Sequence, residues 1–164
     1  MNPDQLLKKA HTSSFYLYII NVLLSRIIPF NKPHGIKILE IDESKVRVCL
    51  PYKRINQNHL KGMHACALAT AAEFTCGISL INALGSKNYR LIMKDLKVNY
   101  LAQGKTDVYA EFNTDAQAII SEMASSSDKT IFKRCNIELK DTNHKTICIA
   151  DINWQIKSWD KIKK

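Results

Sequence analysis

The sequence is short of the residues that break or loosen a chain. Five glycines and four prolines in 164 residues exclude collagen-like, low-complexity and disordered classes, because 46% of the residues are hydrophobic and only 24% charged. Cysteine is present but unpatterned. Cys49, Cys66, Cys76, Cys135 and Cys148 are odd in number, form no CxxC, and stand near no histidine at zinc spacing. A disulfide framework and a metal site are therefore not expected; reduced thiols in a cytoplasmic protein are. Acids are scarce in one part of the chain only. Residues 1–61 carry ten Lys/Arg against four Asp/Glu, 62–100 four against two, and 101–164 ten against nine, so most of the net charge of +9 lies in the first hundred residues. A basic surface favours an anionic partner such as nucleic acid, anionic lipid or a phosphate-bearing cofactor. No RGG stretch, zinc finger or aromatic-basic box supports nucleic acid.

Long uncharged apolar runs are also few. Phe15–Leu24 is ten residues, half of what a membrane span needs, and no small-x-small cleavage site follows it. With its polar lead-in it reads as one helix over residues 4–28, closed by Pro29, packing on a core. Docking of this segment at a membrane surface is the alternative. From Gly62 to Ser86 the single formally charged residue is Glu73. Length would allow a span, but alanine and cysteine make up much of the run and a mid-segment carboxylate is costly in lipid. Apolar residues fall on every face, so this is a buried helix with Gly85 as its C-terminal cap, and no integral span is expected.

The flanks read as strands. Ile36–Ile41 and Lys45–Leu50 are separated by a turn at Asp42-Glu43-Ser44. Tyr89–Leu101 and Thr106–Phe112 divide at Gln103-Gly104-Lys105. Thr130–Lys140 and Lys145–Ser158 flank Asp141-Thr142-Asn143, and Asp115–Ala124 fits one short helix. The expectation is an α+β domain, a mainly antiparallel sheet wrapped around one long helix. Its open edges and uncovered flank call for a second copy.

A carboxylate in the middle of a buried helix needs a partner or a purpose. Burial raises its pKa toward that of a general acid or base. Upstream lies the polar loop Asn56-Gln57-Asn58-His59-Leu60-Lys61-Gly62-Met63-His64, and the helix N-terminus after it offers unpaired N–H groups to an oxyanion. The plain structural alternative is a Glu73 that pairs with a lysine or caps a neighbouring element at a subunit interface. His64 is expected to precede the helix, His59 to be a surface residue, and Cys66 and Cys76 to be small core residues.

The run Asn58-x5-His64-Ala65-Cys66-x6-Glu73 resembles the motif of hotdog-fold thioesterases of the phenylacetyl-CoA thioesterase (PaaI) type. There an Asn stands six residues before an HGG, and an Asp or Glu nine after the His. Gly35-Ile36, Leu50-Pro51 and Ile147–Ile156 match the flanking strands, and the extra N-terminal helix is most similar to a PaaI-related branch. The resemblance implies a hotdog domain over residues 35–160, a helical extension over 1–34 and a basic tail over 161–164. It implies an acyl-CoA thioesterase, with coenzyme A as part of the substrate and no separate cofactor, working as a homodimer or a dimer of dimers. Glu73 would activate water or attack the thioester carbonyl, Asn58 would position the water or substrate, Ala65 would offer its backbone N–H to the carbonyl, and His64 would orient the loop. Gly62, Cys66, Arg90, Lys94 and Lys97 would line the substrate, the cations taking the CoA phosphates. Both HGG glycines are replaced, and the acid is Glu rather than the commoner Asp. A non-catalytic acyl-CoA or fatty-acyl binding protein on the same fold is the alternative; a dehydratase is disfavoured because its His-Phe-Pro-Gly loop is absent.

Overall fold

The structure, a computed structural model, describes residues 3–161, so the tail residues 162–164 lie outside the described residues. Ten principal elements follow in order: α1 (Pro3–Ala10), α2 (Ser14–Ile27), β1 (Lys37–Ile41), β2 (Lys45–Leu50), α3 (Ala65–Leu84), β3 (Tyr89–Tyr100), β4 (Val108–Asn113), α4 (Ala116–Ser125), β5 (Thr130–Asp141) and β6 (Thr146–Ser158). The strands form one antiparallel sheet in the order β1-β2-β4-β5-β6-β3. The sheet curls around α3, as the hotdog arrangement requires.

The long helix forms because its residues favour helix and both ends are closed. Its first turn is capped by His64, whose Nδ1 accepts from the Cys66 N–H at 3.1 Å. Its last is stopped by Gly85 at φ +82°, where a side chain would be strained. Ala67, Ala71, Ala72, Cys76 and Leu80 face the sheet, meeting Leu139, Ile147, Ala150, Ile152 and Ile156 in the main core. Alternation in β6 places the last three of these on one face. Buried polar groups on the helix are satisfied: Thr75 Oγ1 donates to the Ala71 carbonyl at 2.6 Å, and the Ser79 and Thr114 hydroxyls lie 2.8 Å apart.

The N-terminal segment departs from the expected single helix over residues 4–28. It breaks at residues 11–13, with Ser13 extended at φ −141°. Thr12, Ser13 and Ser14 favour caps over helix interiors. The break also lets Leu6, Leu7 and Ala10 of α1 and Ile20 of α2 all reach a second core with Ile38, Val46, Val48, Phe74 and Ile78. Thus the extension covers one flank of α3 that the sheet leaves open. Asn21 ties it down, its Nδ2 donating to the Ile38 carbonyl at 2.9 Å and its Oδ1 accepting the Ile38 N–H at 2.8 Å. The Asp4 carboxylate accepts from the backbone N–H and hydroxyl of Ser86, at 3.0 and 2.8 Å.

Two features of the sheet bear on the site. β4 and β5 pair over three residue pairs only, from Val108–Asp141 to Ala110–Leu139, and α4 buries Ile119 and Met123 where they diverge. β3 is a twelve-residue edge strand, paired to β6 alone and bulged between Met93 and Asp95.

Candidate active site

The polar loop before α3 is built around two asparagines. Asn56 is completely buried. Its Nδ2 donates to the carbonyls of His34 and Pro51 at 2.8 and 2.9 Å, and its Oδ1 lies 2.8 Å from His34 Nδ1. Its own carbonyl accepts the His64 N–H at 2.7 Å, which fixes where the helix starts. Asn58 braces the turn beyond it. Its Oδ1 accepts from the Leu60 and Gly62 N–H groups at 2.9 and 3.1 Å, and its backbone N–H donates to the Gly62 carbonyl at 2.8 Å. The turn holds Lys61 at φ +60°, an uncommon conformation for a residue with a side chain. Both oxygen-side contacts of Asn58 are thereby used, while its Nδ2 donor makes no hydrogen bond among the described residues.

His64 precedes the helix, as expected. Because Nδ1 accepts from Cys66, the proton sits on Nε2, and the ring is exposed. Ala65 follows as the first helical residue, also exposed, with an N–H that no helical carbonyl can reach. Its carbonyl accepts from Tyr100 Oη of β3 at 3.0 Å. Gly62 is buried under Gln103, whose side chain fills the space that any Cβ there would need. Cys66 is exposed rather than a core residue, because the first turn of α3 projects past the sheet; Cys76, nearly three turns on, is buried as expected.

Glu73 lies mid-helix and half-buried, with no hydrogen bond or ion pair among the described residues. Burial pushes its carboxyl above the ordinary glutamate range. Among the described residues of its own chain no lysine pairs with it. It opens instead on an apolar cavity of about 320 Å³ lined by Leu24 and Ile28 of the extension, Gly77, Leu91 and Trp154. Gly77 allows the close approach of helix and tryptophan: a Cβ there would meet the Trp154 ring at 3.1 Å. The Trp154 Nε1 is buried without a hydrogen-bond partner, with the weakly accepting Cys76 thiol close by.

Glu73 and Ala65 belong to one helix, eight residues apart, which is about 12 Å along the axis. A single chain therefore cannot bring both to one carbonyl. The expected cations are dispersed. Arg90 and Lys97 pair with Lys157 and Asp151, out of phase with the core-facing Leu91, Leu96 and Val98. They stand on the outer face of the sheet, away from Glu73, and Lys94 sits exposed at the bulge. A different group gathers beside Asn58: Arg54, His59 and Lys61 line a cleft of about 270 Å³ with Gln57. The sequence placed Asn56, His59 and Lys61 in the polar loop without giving them a role at the site, and it did not point to Arg54, Tyr100 or Trp154. The adjacent Lys53-Arg54 and Lys61 were visible, but the loop closure that groups them was not. Among the described residues no group of three His, Cys, Asp or Glu side chains is placed to hold a metal ion.

A family described as Domain of unknown function (DUF4442) matches residues 18–156. The chain belongs to this family. No curated protein matches its sequence. Solved structures do match its fold. PA5026 of Pseudomonas aeruginosa, described as a protein of unknown function and probable thioesterase, superposes with a TM-score of 0.79 at 22% identity, over 86% of this chain and 95% of that one. The thioesterase HI1161 of Haemophilus influenzae gives 0.70 at 14% identity, over 91% and 95%. The thioesterase PA1618, also from Pseudomonas aeruginosa, gives 0.70 at 15%, over 91% and 99%. The DUF4442 chain thus has a hotdog fold shared with thioesterases. Its α3 is long and apolar enough to cross a membrane, but 67% of that apolar window is buried inside the protein.

Proposed function

We propose that this DUF4442 protein is an acyl-CoA thioesterase of the PaaI-like kind, acting as a homodimer or dimer of dimers in the reducing cytoplasm. The observation that carries the reading is Glu73: an unpaired carboxylate, raised in pKa by burial, at the mouth of an apolar cavity in the helix of a hotdog domain. Glu73 accepts a proton from water as the water oxygen bonds to the thioester carbonyl carbon. The carbonyl oxygen gains the charge and is stabilised by the Ala65 N–H at the helix N-terminus. Collapse of this intermediate breaks the carbon–sulfur bond. CoA leaves as its thiol, taking the proton from Glu73, and the carboxylic acid remains.

The 12 Å between Ala65 and Glu73 favours a site shared between two copies. β3 offers a free edge, and beside it Ala65, Cys66, Ala69, Thr70 and Glu73 form an incompletely buried strip of mostly small side chains on α3. Two such strips laid antiparallel bring Glu73 of one copy toward the Asn58–His64 loop of the other, where the free Nδ2 of Asn58 serves to hold the water or carbonyl. Arg54, His59 and Lys61 beside that loop suit the CoA phosphates better than Arg90 or Lys97. The Cβ that Ala65 places in the acyl path supports a second reading, a protein that binds acyl-CoA without cleaving it.

Free-thiol release from short, long and aryl acyl-CoAs, measured for wild type and Glu73→Gln, tests the reading. Turnover lost in the variant, with the oligomer intact, supports the hydrolase. Turnover that persists removes Glu73 from the mechanism, and tight binding without turnover makes this a carrier.

A further inference from the structure

The outer side of α2 has no role in the site, yet it is the least ordinary surface of the molecule. A surface helix normally buries one face and presents polar residues on the other. Here Leu17, Ile20 and Leu24 pack inward, while Phe15, Tyr18, Leu23 and Ile27 point outward, 67%, 66%, 36% and 70% exposed. At 100° per residue these four fall within one half of the helix surface, interrupted only near its end by Arg26.

Charge identifies the occupant. Between Gln5 and Leu39 there is no Asp or Glu, whereas Lys9 stands over the Tyr16 ring of α2, Arg26 is exposed on α2 itself, and Lys32 and Lys37 follow in the same stretch. A second copy docked face to face by a two-fold axis would set these cations against their own images. Anionic lipid headgroups would neutralise them. We propose that α2 docks the protein on an anionic membrane surface, lying in the plane of the interface with Phe15, Tyr18, Leu23 and Ile27 among the upper acyl carbons and the cations among the headgroups. Fourteen residues make about 21 Å of helix, which lies on a bilayer and does not cross it. The inner side of the same helix contributes Leu24 to the wall of the Glu73 cavity, and Ile28 follows directly. An acyl group leaving the bilayer beside α2 therefore meets that cavity without crossing open water.

Co-sedimentation of the full chain with phosphatidylcholine vesicles, with and without phosphatidylserine, tests the proposal. With three of the cations at the surface, anionic lipid should raise partitioning by about a hundredfold. Salt at about 1 M should abolish the gain, as the Debye length shrinks from about 8 to about 3 Å. Phe15→Ser combined with Ile27→Ser should lower partitioning at least about tenfold, and Arg26→Glu should weaken binding to the anionic vesicles alone. Failure to bind anionic vesicles, or equal binding by the double variant, overturns the proposal. So does a double variant that falls apart into smaller species by light scattering, which would show that a second copy covers this face.

Discussion

Replacing Asn56 tests the scaffold of the site most directly. Its side chain makes three hydrogen bonds at a position with no solvent exposure, two donated by Nδ2 and one accepted by Oδ1. Asn56→Ala removes three bonds, leaving the His34 carbonyl and ring N–H without partners and the Pro51 carbonyl with only the Lys53 N–H at 2.9 Å. His34 and Pro51 are only half-buried, so each loss stays near the low end, about 1 kcal/mol, for a total of about 3 kcal/mol. In a domain of this size that lowers Tm by about 6–12 °C. Asn56→Asp should be worse than Ala at neutral pH, because a carboxylate oxygen replaces the donor that faces two carbonyls. Its deficit should shrink on acidification, once a protonated carboxyl can donate again. Urea denaturation across pH reads both effects. An aspartate variant as stable as the alanine variant at pH 7 would refute the reasoning, since Nδ2 could not then face the two carbonyls.

Two further substitutions probe other parts of the molecule. Because burial raises the Glu73 pKa, the folded state holds that proton more tightly than the unfolded chain, and stability falls as pH rises from the ordinary glutamate value through the raised one. Glu73→Gln should therefore match wild type in Tm below about pH 4, exceed it by a few degrees at neutral pH, and lose turnover by at least about a hundredfold. Asn21→Leu strips the backbone N–H and carbonyl of Ile38 of their partners; it should cost about 2 kcal/mol and speed exchange of the Ile38 amide by about thirtyfold, read by hydrogen-exchange NMR.

What could be read from the chain was what local chemistry determines. Alternation in β6 and the turn residues at Asp42-Glu43-Ser44 and Asp141-Thr142-Asn143 placed the strands to within two residues, and Gly85 marked the end of α3. The break between α1 and α2 was legible in Thr12-Ser13-Ser14, but the apolar run after it outweighed that signal. Strand order was not legible, because pairing β6 with both β5 and β3 depends on contacts between residues far apart in the chain. The same holds for the site. Glu73 stood out as a lone charge in an apolar run, whereas the cavity it faces draws on α2, α3, β3 and β6 together. Arg90 and Lys97 were singled out by residue type alone; the phase of β3 sends them to the far side of the sheet.

The bond pair between Asn21 and Ile38 reaches beyond local stability. A sheet open on both sides has two sticky ends, and units with two ends add without limit into fibres. In this chain the side-chain amide of Asn21 imitates one peptide unit of a neighbouring strand and occupies the N–H and carbonyl of Ile38 in the short β1, leaving β3 as the long bare edge. A unit with one sticky end can only pair off. The N-terminal extension thus acts as a stopper at the β1 end, so that any strand-to-strand growth of the sheet is confined to the β3 edge.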